Sequence, residues 1–234
     1  MMARGHLLSG VLAGVLTVPV TPWASSPLGS GLWVLACSYG GWVPDLDMPG
    51  AKLSKVLGPV TYILALGIRA LSIVVYELTR TEKDQPDSDG HRTLTHTLVF
   101  PPAFGLAVYG LMVSLRSPHD VASIVASGLV VGSWAHIAGD CCTIYGCPLW
   151  WPFVIDGRRW YYAGIPRVLR FRAGTDHDDK PWLNWWEAAG ERVVTFLLYI
   201  AVVLASFALV PGGYSWVFGT VGDLAGWSTS WMGA

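Results

Sequence analysis

Apolar runs that end in histidine and aspartate constrain this chain more than any other feature. Leu7 to Val20, Leu28 to Val43, Val56 to Leu78, Thr97 to Leu115, Val121 to Ala138 and Arg192 to Val210 alternate with polar stretches. In lipid, such runs satisfy their backbone groups by pairing them within the segment, so helices are expected. Composition supports the lipid setting. Only 13% of the 234 residues are charged, 53% are hydrophobic and thirteen are Trp, whereas soluble domains carry roughly 25% charge. Trp in that number suits interfacial belts. A net charge of −1 brings no basic tail, and no direct nucleic-acid binding is expected. Cys37, Cys141, Cys142 and Cys147 make no paired C-x-x-C sets and read as free thiols.

The stretch Gly90-His91-Arg92-Thr93-Leu94-Thr95-His96 closes a polar loop and opens an apolar run. The pattern predicts a helix through Thr95 and from Thr97 to Leu115, with His96 inside it and His91 at its frayed start. Residues five apart on a regular helix point roughly 140° away from each other, so one metal cluster needs that frayed end. Arg92 there suits an anion such as phosphate. Two interfacial histidines capping a membrane helix are the plainer alternative.

Other polar residues fall at run ends. Arg4-Gly5-His6 precedes Leu7 to Val20, which reads either as a secretory signal peptide or as a first span with His6 as a ligand. Pro44-Asp45-Leu46-Asp47-Met48-Pro49 ends the second run and offers hard oxygen ligands, or else a solvated turn. His136 and Asp140, four apart, share one helix face at the end of the fifth run. They suit a metal, or a buried polar pair between helices. Val56 to Leu78 contains Gly58-Pro59 and a central Arg69, and an arginine there costs a lipid-facing span at least about 2.5 kcal/mol. A full crossing would also part Asp45 from His91. The expectation is a re-entrant or interfacial helical pair bent at Gly67-Ile68-Arg69. Asp84, Asp87 and Asp89 in the following loop are expected to be solvated, as is His177 in Asp176-His177-Asp178-Asp179.

The set is His6; Pro44-Asp45-Leu46-Asp47; His91-Arg92-x-x-Thr95-His96; and His136-x-x-x-Asp140-x-x-Thr143-x-x-Gly146, closed by Leu149-Trp150-Trp151-Pro152. Over about residues 1 to 155 it resembles the YdjM-like family of inner-membrane proteins, also described as LexA-binding, inner membrane-associated hydrolases. The resemblance implies a bacterial inner-membrane location and metal-dependent hydrolase activity, by likeness to zinc-dependent phospholipases. Thr97 stands where the family commonly has Ser. The family's later Gly-Ser/Thr-x-x-Glu element maps on Gly174-Thr175 and, after a longer insert, on Glu187. Nothing in these residues encodes LexA binding.

Four histidines and three aspartates (His6, Asp45, Asp47, His91, His96, His136 and Asp140) exceed one tetrahedral site. They suit two or three divalent ions, Zn first, with Mn or Mg as alternatives. Such ions would activate a water against a phosphoester. Arg92 is expected to clamp phosphate oxygens, and Thr95 and Thr143 to orient ligands. The expected fold is all-α, a polytopic bundle of about five spans plus the re-entrant or interfacial segment. Residues 1–155 are the metal-site domain, 156–191 a polar interfacial segment, and 192–234 a last span and tail. The expected function is hydrolysis of a phosphoester in a membrane lipid or lipid-like substrate. A non-catalytic metal-binding scaffold or transporter is the alternative, although transporter sites lie near the midplane rather than at span ends. With the third run re-entrant, Arg4, Lys52, Lys55, Arg80, Lys83, Arg92 and the basic residues from Arg158 to Lys180 share the metal face, against Arg116 opposite. That places the site in the cytoplasm.

Overall fold

The computed structural model describes residues 3–23, 25–51, 53–55, 58–86, 90–166, 169–171 and 185–209. It is all-helical: α1 (Ala3–Thr17), α2 (Pro27–Gly40), α3 (Pro59–Thr79), α4 (Phe100–Ser114), α5 (His119–Cys141) and α6 (Trp185–Leu209). Only isolated bridges, in the segment after α5, interrupt this pattern among the described residues. Two helices, α3 and α5, are long and apolar enough to cross a membrane by length and composition. The others fall short of the expected five full spans on that measure. α1, α2 and α4 have 15, 14 and 15 residues, about 21–23 Å at 1.5 Å per residue, against a hydrocarbon core of about 30 Å.

α5 is the hub, packed against α1, α2 and α4, while α1 also packs on α2 and α6. Small residues make this possible. A Cβ on Gly128 would lie 2.6 Å from Ala36 Cβ, and one on Gly132 would strike the Cys37 carbonyl oxygen. Close backbone approach supplies the dispersion contacts that hold helices together in lipid. Trp33 ties α2 to α1 by donating to Gly14 O (3.1 Å) and Thr17 Oγ1 (2.9 Å). Val18, Trp33, Cys37 and Ile124 form the buried apolar cluster. His6, at the other end of α1, belongs to a polar layer. α1 is thus a packed part of the fold, which favours the first-span reading over a removed signal.

Two boundaries differ from the sequence reading. Leu94–His96 is a separate 3-10 turn, and α4 starts only at Phe100, so His96 lies outside the helix. Thr97 Oγ1 accepts from Phe100 N (3.2 Å), and Pro101 and Pro102 fill the first turn. Both features mark a helix start. α3 is one continuous helix through Gly67, not the helical pair expected, and the space beside Gly67 is open.

α3 packs on the short turns Pro44–Asp47, Leu53–Lys55 and Leu94–His96. Its covered residues are Thr61, Ala65, Ser72 and Tyr76, while Ile63, Leu71, Val74 and Leu78 are exposed. Thr61 Oγ1 donates to Ser54 O (3.0 Å), Gly90 presses on Arg69 and Ile73, and Tyr76 packs on Trp160. α3 therefore meets the polar layer and the segments around it at several points along its length.

Asp84 is not the solvated acid expected. It is buried and accepts from Thr81 N (2.7 Å), Thr81 Oγ1 (3.0 Å), Arg159 N (3.2 Å) and Trp160 N (3.1 Å). It ties the loop after α3 to the segment after α5. Asp87, Asp89 and His177 lie outside the described residues. The segment after α5 folds back on itself: Cys147 and Ala163 exchange two backbone bonds (2.9 and 2.8 Å), and Phe171 N donates to Cys142 O (3.2 Å). These bonds cross the domain boundary expected at residue 155.

Candidate metal centre

All seven expected ligands come together where four helix ends meet. α1 delivers His6 in its first turn. The Pro44–Asp47 turn after α2 delivers Asp45 and Asp47, the loop before α4 delivers His91 and His96, and the last turns of α5 deliver His136 and Asp140. They form three triads able to hold a metal ion: His6, His136 and Asp140; Asp45, His96 and His136; Asp47, His91 and His96. Five of the seven are 1% exposed or less, while Asp45 is 18% and His91 25% exposed. That pair, with Arg92 beside it, forms the open edge. His119 sits at the opposite end, paired with Tyr109.

Proton bookkeeping within the layer is informative. Nδ1 of His136 lies 2.7 Å from the Gly41 carbonyl oxygen, which can only accept, so Nδ1 carries a hydrogen and, in the neutral imidazole, Nε2 is the bare nitrogen. Thr95 Oγ1 is 2.6 Å from Asp47 Oδ2 and 3.0 Å from His96 Nδ1. Where Asp47 takes its single hydrogen, Oγ1 accepts from His96 Nδ1–H, and in the neutral ring His96 Nε2 is bare as well. The two bare Nε2 atoms face each other at 3.2 Å, with Asp140 Oδ2 at 3.4 Å from His96 and 3.6 Å from His136. Lone pairs gathered this closely away from water are relieved by a metal ion or a shared proton between them. His6 stacks on His136 with ring centroids 3.6 Å apart, reaches Asp140 Oδ1 through Nε2 (3.4 Å), and leaves its buried Nδ1 without a partner. The donor set fits divalent metal ions.

His91 Nδ1 lies 2.9 Å from Asp47 Oδ1. Burial, the largest influence, pushes the His91 imidazole down, but the bond to Asp47 and the charges of Asp47 and Asp45 outweigh it and leave it raised. Burial dominates at His96 and lowers it, consistent with the neutral tautomer.

Arg92, expected to clamp phosphate oxygens, engages protein groups. Its guanidinium points inward, with NH1 donating to Thr143 Oγ1 (2.8 Å) and NH2 pairing with Asp140 Oδ2 (3.0 Å). It also lies 5.3 Å from the Tyr145 ring centroid. The residue has φ 53°, which is unfavourable for a side-chain-bearing residue and persists where surroundings over-determine it. Tyr162 fixes it by donating to Arg92 O (2.9 Å), and Thr143 donates onward to Asp140 O (2.7 Å). Thr95 and Thr143 do touch ligands, as expected. Tyr145, Tyr162 and the Gly41 carbonyl were not singled out from the sequence, since nothing local marks a distant backbone acceptor or a rim tyrosine. Glu187 falls in α6, but its side chain lies outside the described residues.

No curated protein and no solved structure matches this chain. A family model does: that of the YdjM inner membrane protein matches residues 1–212, spanning every metal-centre residue above. With most of its length matched, this chain belongs to the YdjM inner membrane protein family.

Proposed function

We propose that this chain is a membrane-bound, metal-dependent hydrolase that cleaves a phosphoester of a lipid or lipid-like substrate. The observation that carries the reading is the pair of bare Nε2 atoms of His96 and His136, 3.2 Å apart over Asp140. Each of these imidazoles has one lone pair to give, yet the triad with Asp45 needs both. Filling it would empty the other two triads, so two ions rather than three are the consistent loading. His6, His136 and Asp140 would hold one, and Asp47, His91 and His96 the other; the imidazole-rich set favours Zn, with Mn next. Bound ions would supply Lewis acidity and a water acidified for attack.

The chain's own residues take the remaining roles. Asp45 is left over from the two triads and stands at the open edge, where its Oδ1 takes the proton of the attacking water. Thr95 holds the tautomer of His96 and the orientation of Asp47. Arg92 and Thr143 hold Asp140, and Arg92 supplies a fixed positive charge beside the site. The open edge at Asp45 and His91 suits a catalytic site, which keeps an accessible position. The inward Arg92 favours a second reading, a non-catalytic metal-binding scaffold. The lipid substrate class follows from placement: α1, α2, α4, α5 and α6 make the five spans, the shorter ones accommodated by local thinning of the bilayer. α3 lies along the surface on the metal side. Positive loops put that side in the cytoplasm.

The test is a panel of phospholipids and soluble phosphomonoesters and diesters with metal-loaded protein in detergent and in bilayers. Turnover that disappears in His96→Ala and Asp45→Asn is expected. If metal-loaded protein turns over nothing, the scaffold reading replaces this one.

A further inference from the structure

Exposed apolar side chains at the metal end are not confined to α3. The turn after the Cys147–Ala163 pairing presents Trp150 (49% exposed), Phe153 (70%) and Val154 (51%) outward, although it belongs to no helix. Trp151, between them, turns inward: it stacks on Trp160 (5.6 Å), which packs on Tyr76 of α3 (5.0 Å), and its indole donates to Thr79 Oγ1 (3.4 Å). The turn is thereby fixed to the C-terminal half of α3, where Val74 and Leu78 are exposed. Exposed apolar side chains thus lie both on the helix and on the turn fixed to it. Protein surfaces rarely leave such a patch uncovered, and the bilayer is the apolar phase always beside a member of this family. Nearby charges balance in sign, with Arg80, Lys83 and Arg158 against Glu77, Glu82 and Asp156, so apolar insertion rather than anionic-lipid attraction is the driving force.

We propose that residues 150–154 form a wedge seated in the lipid on the metal side, continuous with the outer face of α3. The proposal rests on the reading of α3 as a surface helix. It gives the wedge a task at the site. Leu98 N donates to Leu149 O (3.2 Å), and the strand-like pairing of Cys147 with Ala163 leads to Tyr162, whose hydroxyl fixes Arg92. Lipid under the wedge would thus hold the rim of the metal centre and open it toward the bilayer.

The experiment places the photo-crosslinking residue p-benzoylphenylalanine singly at Phe153, Val154, Leu78 and Asp156 in the full chain. Native membranes are irradiated and intact-protein masses read. Lipid adducts at Phe153, Val154 and Leu78, several-fold above those at Asp156, are expected. Metal content of each preparation identifies any variant that has lost its fold, in which case Val154 is read in place of Phe153. Adducts to another protein chain, or none at either wedge position, overturn the wedge. If Leu78 still captures lipid, only the wedge falls; if Leu78 also fails, the surface placement of α3 falls with it.

Discussion

Thr95 contributes a single hydroxyl, and the protonation pattern of half the metal centre depends on it. It has one hydrogen to give, which Asp47 takes, so His96 must present its own Nδ1 hydrogen and leave Nε2 for metal. Thr95→Val should therefore weaken metal binding by about 10–100-fold, the usual cost of losing a partner that orients a ligand. Thr95→Ser should retain most of the affinity. Competition against a chelator of known affinity measures both, and a Val variant that binds like the parent contradicts the tautomer assignment. Asp84 belongs to the same scale but to stability. Asp84→Ala strands the buried amides of Arg159 and Trp160, at about 1–3 kcal/mol. Thermal melts in detergent should show the loss, and an unchanged melt would mean those amides find water. The gathered His and Asp residues were legible in the sequence because a histidine or aspartate ending an apolar run is costly without a use. Asp84 was not, since a buried loop acid and a solvated one look alike until the distant backbone it caps is known.

At the scale of elements, the helices were legible and their ends less so. Apolar runs marked all six, but His96 was assigned to α4, because periodicity does not register that Thr97 caps and the two prolines begin the helix. The third run was expected to bend at Gly67-Ile68-Arg69 for a sound topological reason. Helix α3 is continuous through those residues, and Asp47 lies 2.9 Å from His91. The α2–α5 contact gives a prediction at this scale. Gly132→Val places side-chain atoms against the Cys37 carbonyl, and overpacking of this kind costs about 1–3 kcal/mol. Gly110→Ala in α4, where nothing lies within 4 Å of the added carbon, should be neutral or stabilising by up to about 1 kcal/mol. Paired melts test this, and a Gly132 variant as stable as the Gly110 variant would mean the contact is looser than described.

For the whole molecule, the alternation of helix ends is decisive. α1 and α4 begin at the metal layer, α2 and α5 end there, and the turns Pro44–Asp47 and Leu94–His96 lie in it. Sequence alone anticipated this convergence, because only a shared face brings the polar motifs together. It left the number of ions at two or three, and the sharing of His96 and His136 between groups is what favours two in the proposal. Topology is testable with single cysteines at Lys52, Asp87 and Asp178 in a background free of native thiols. All three should resist an impermeant thiol reagent in intact cells and label after permeabilisation, with Ser117 behaving oppositely. Opposite sides for Lys52 and Asp87 would dismantle the shared centre. The central claim is the metal centre itself, and elemental analysis of gently purified protein tests it most directly. About two equivalents of Zn or Mn per chain are expected from the ligand sharing, falling to about one or fewer in His136→Ala. Protein that carries no metal and binds none on titration would contradict the account.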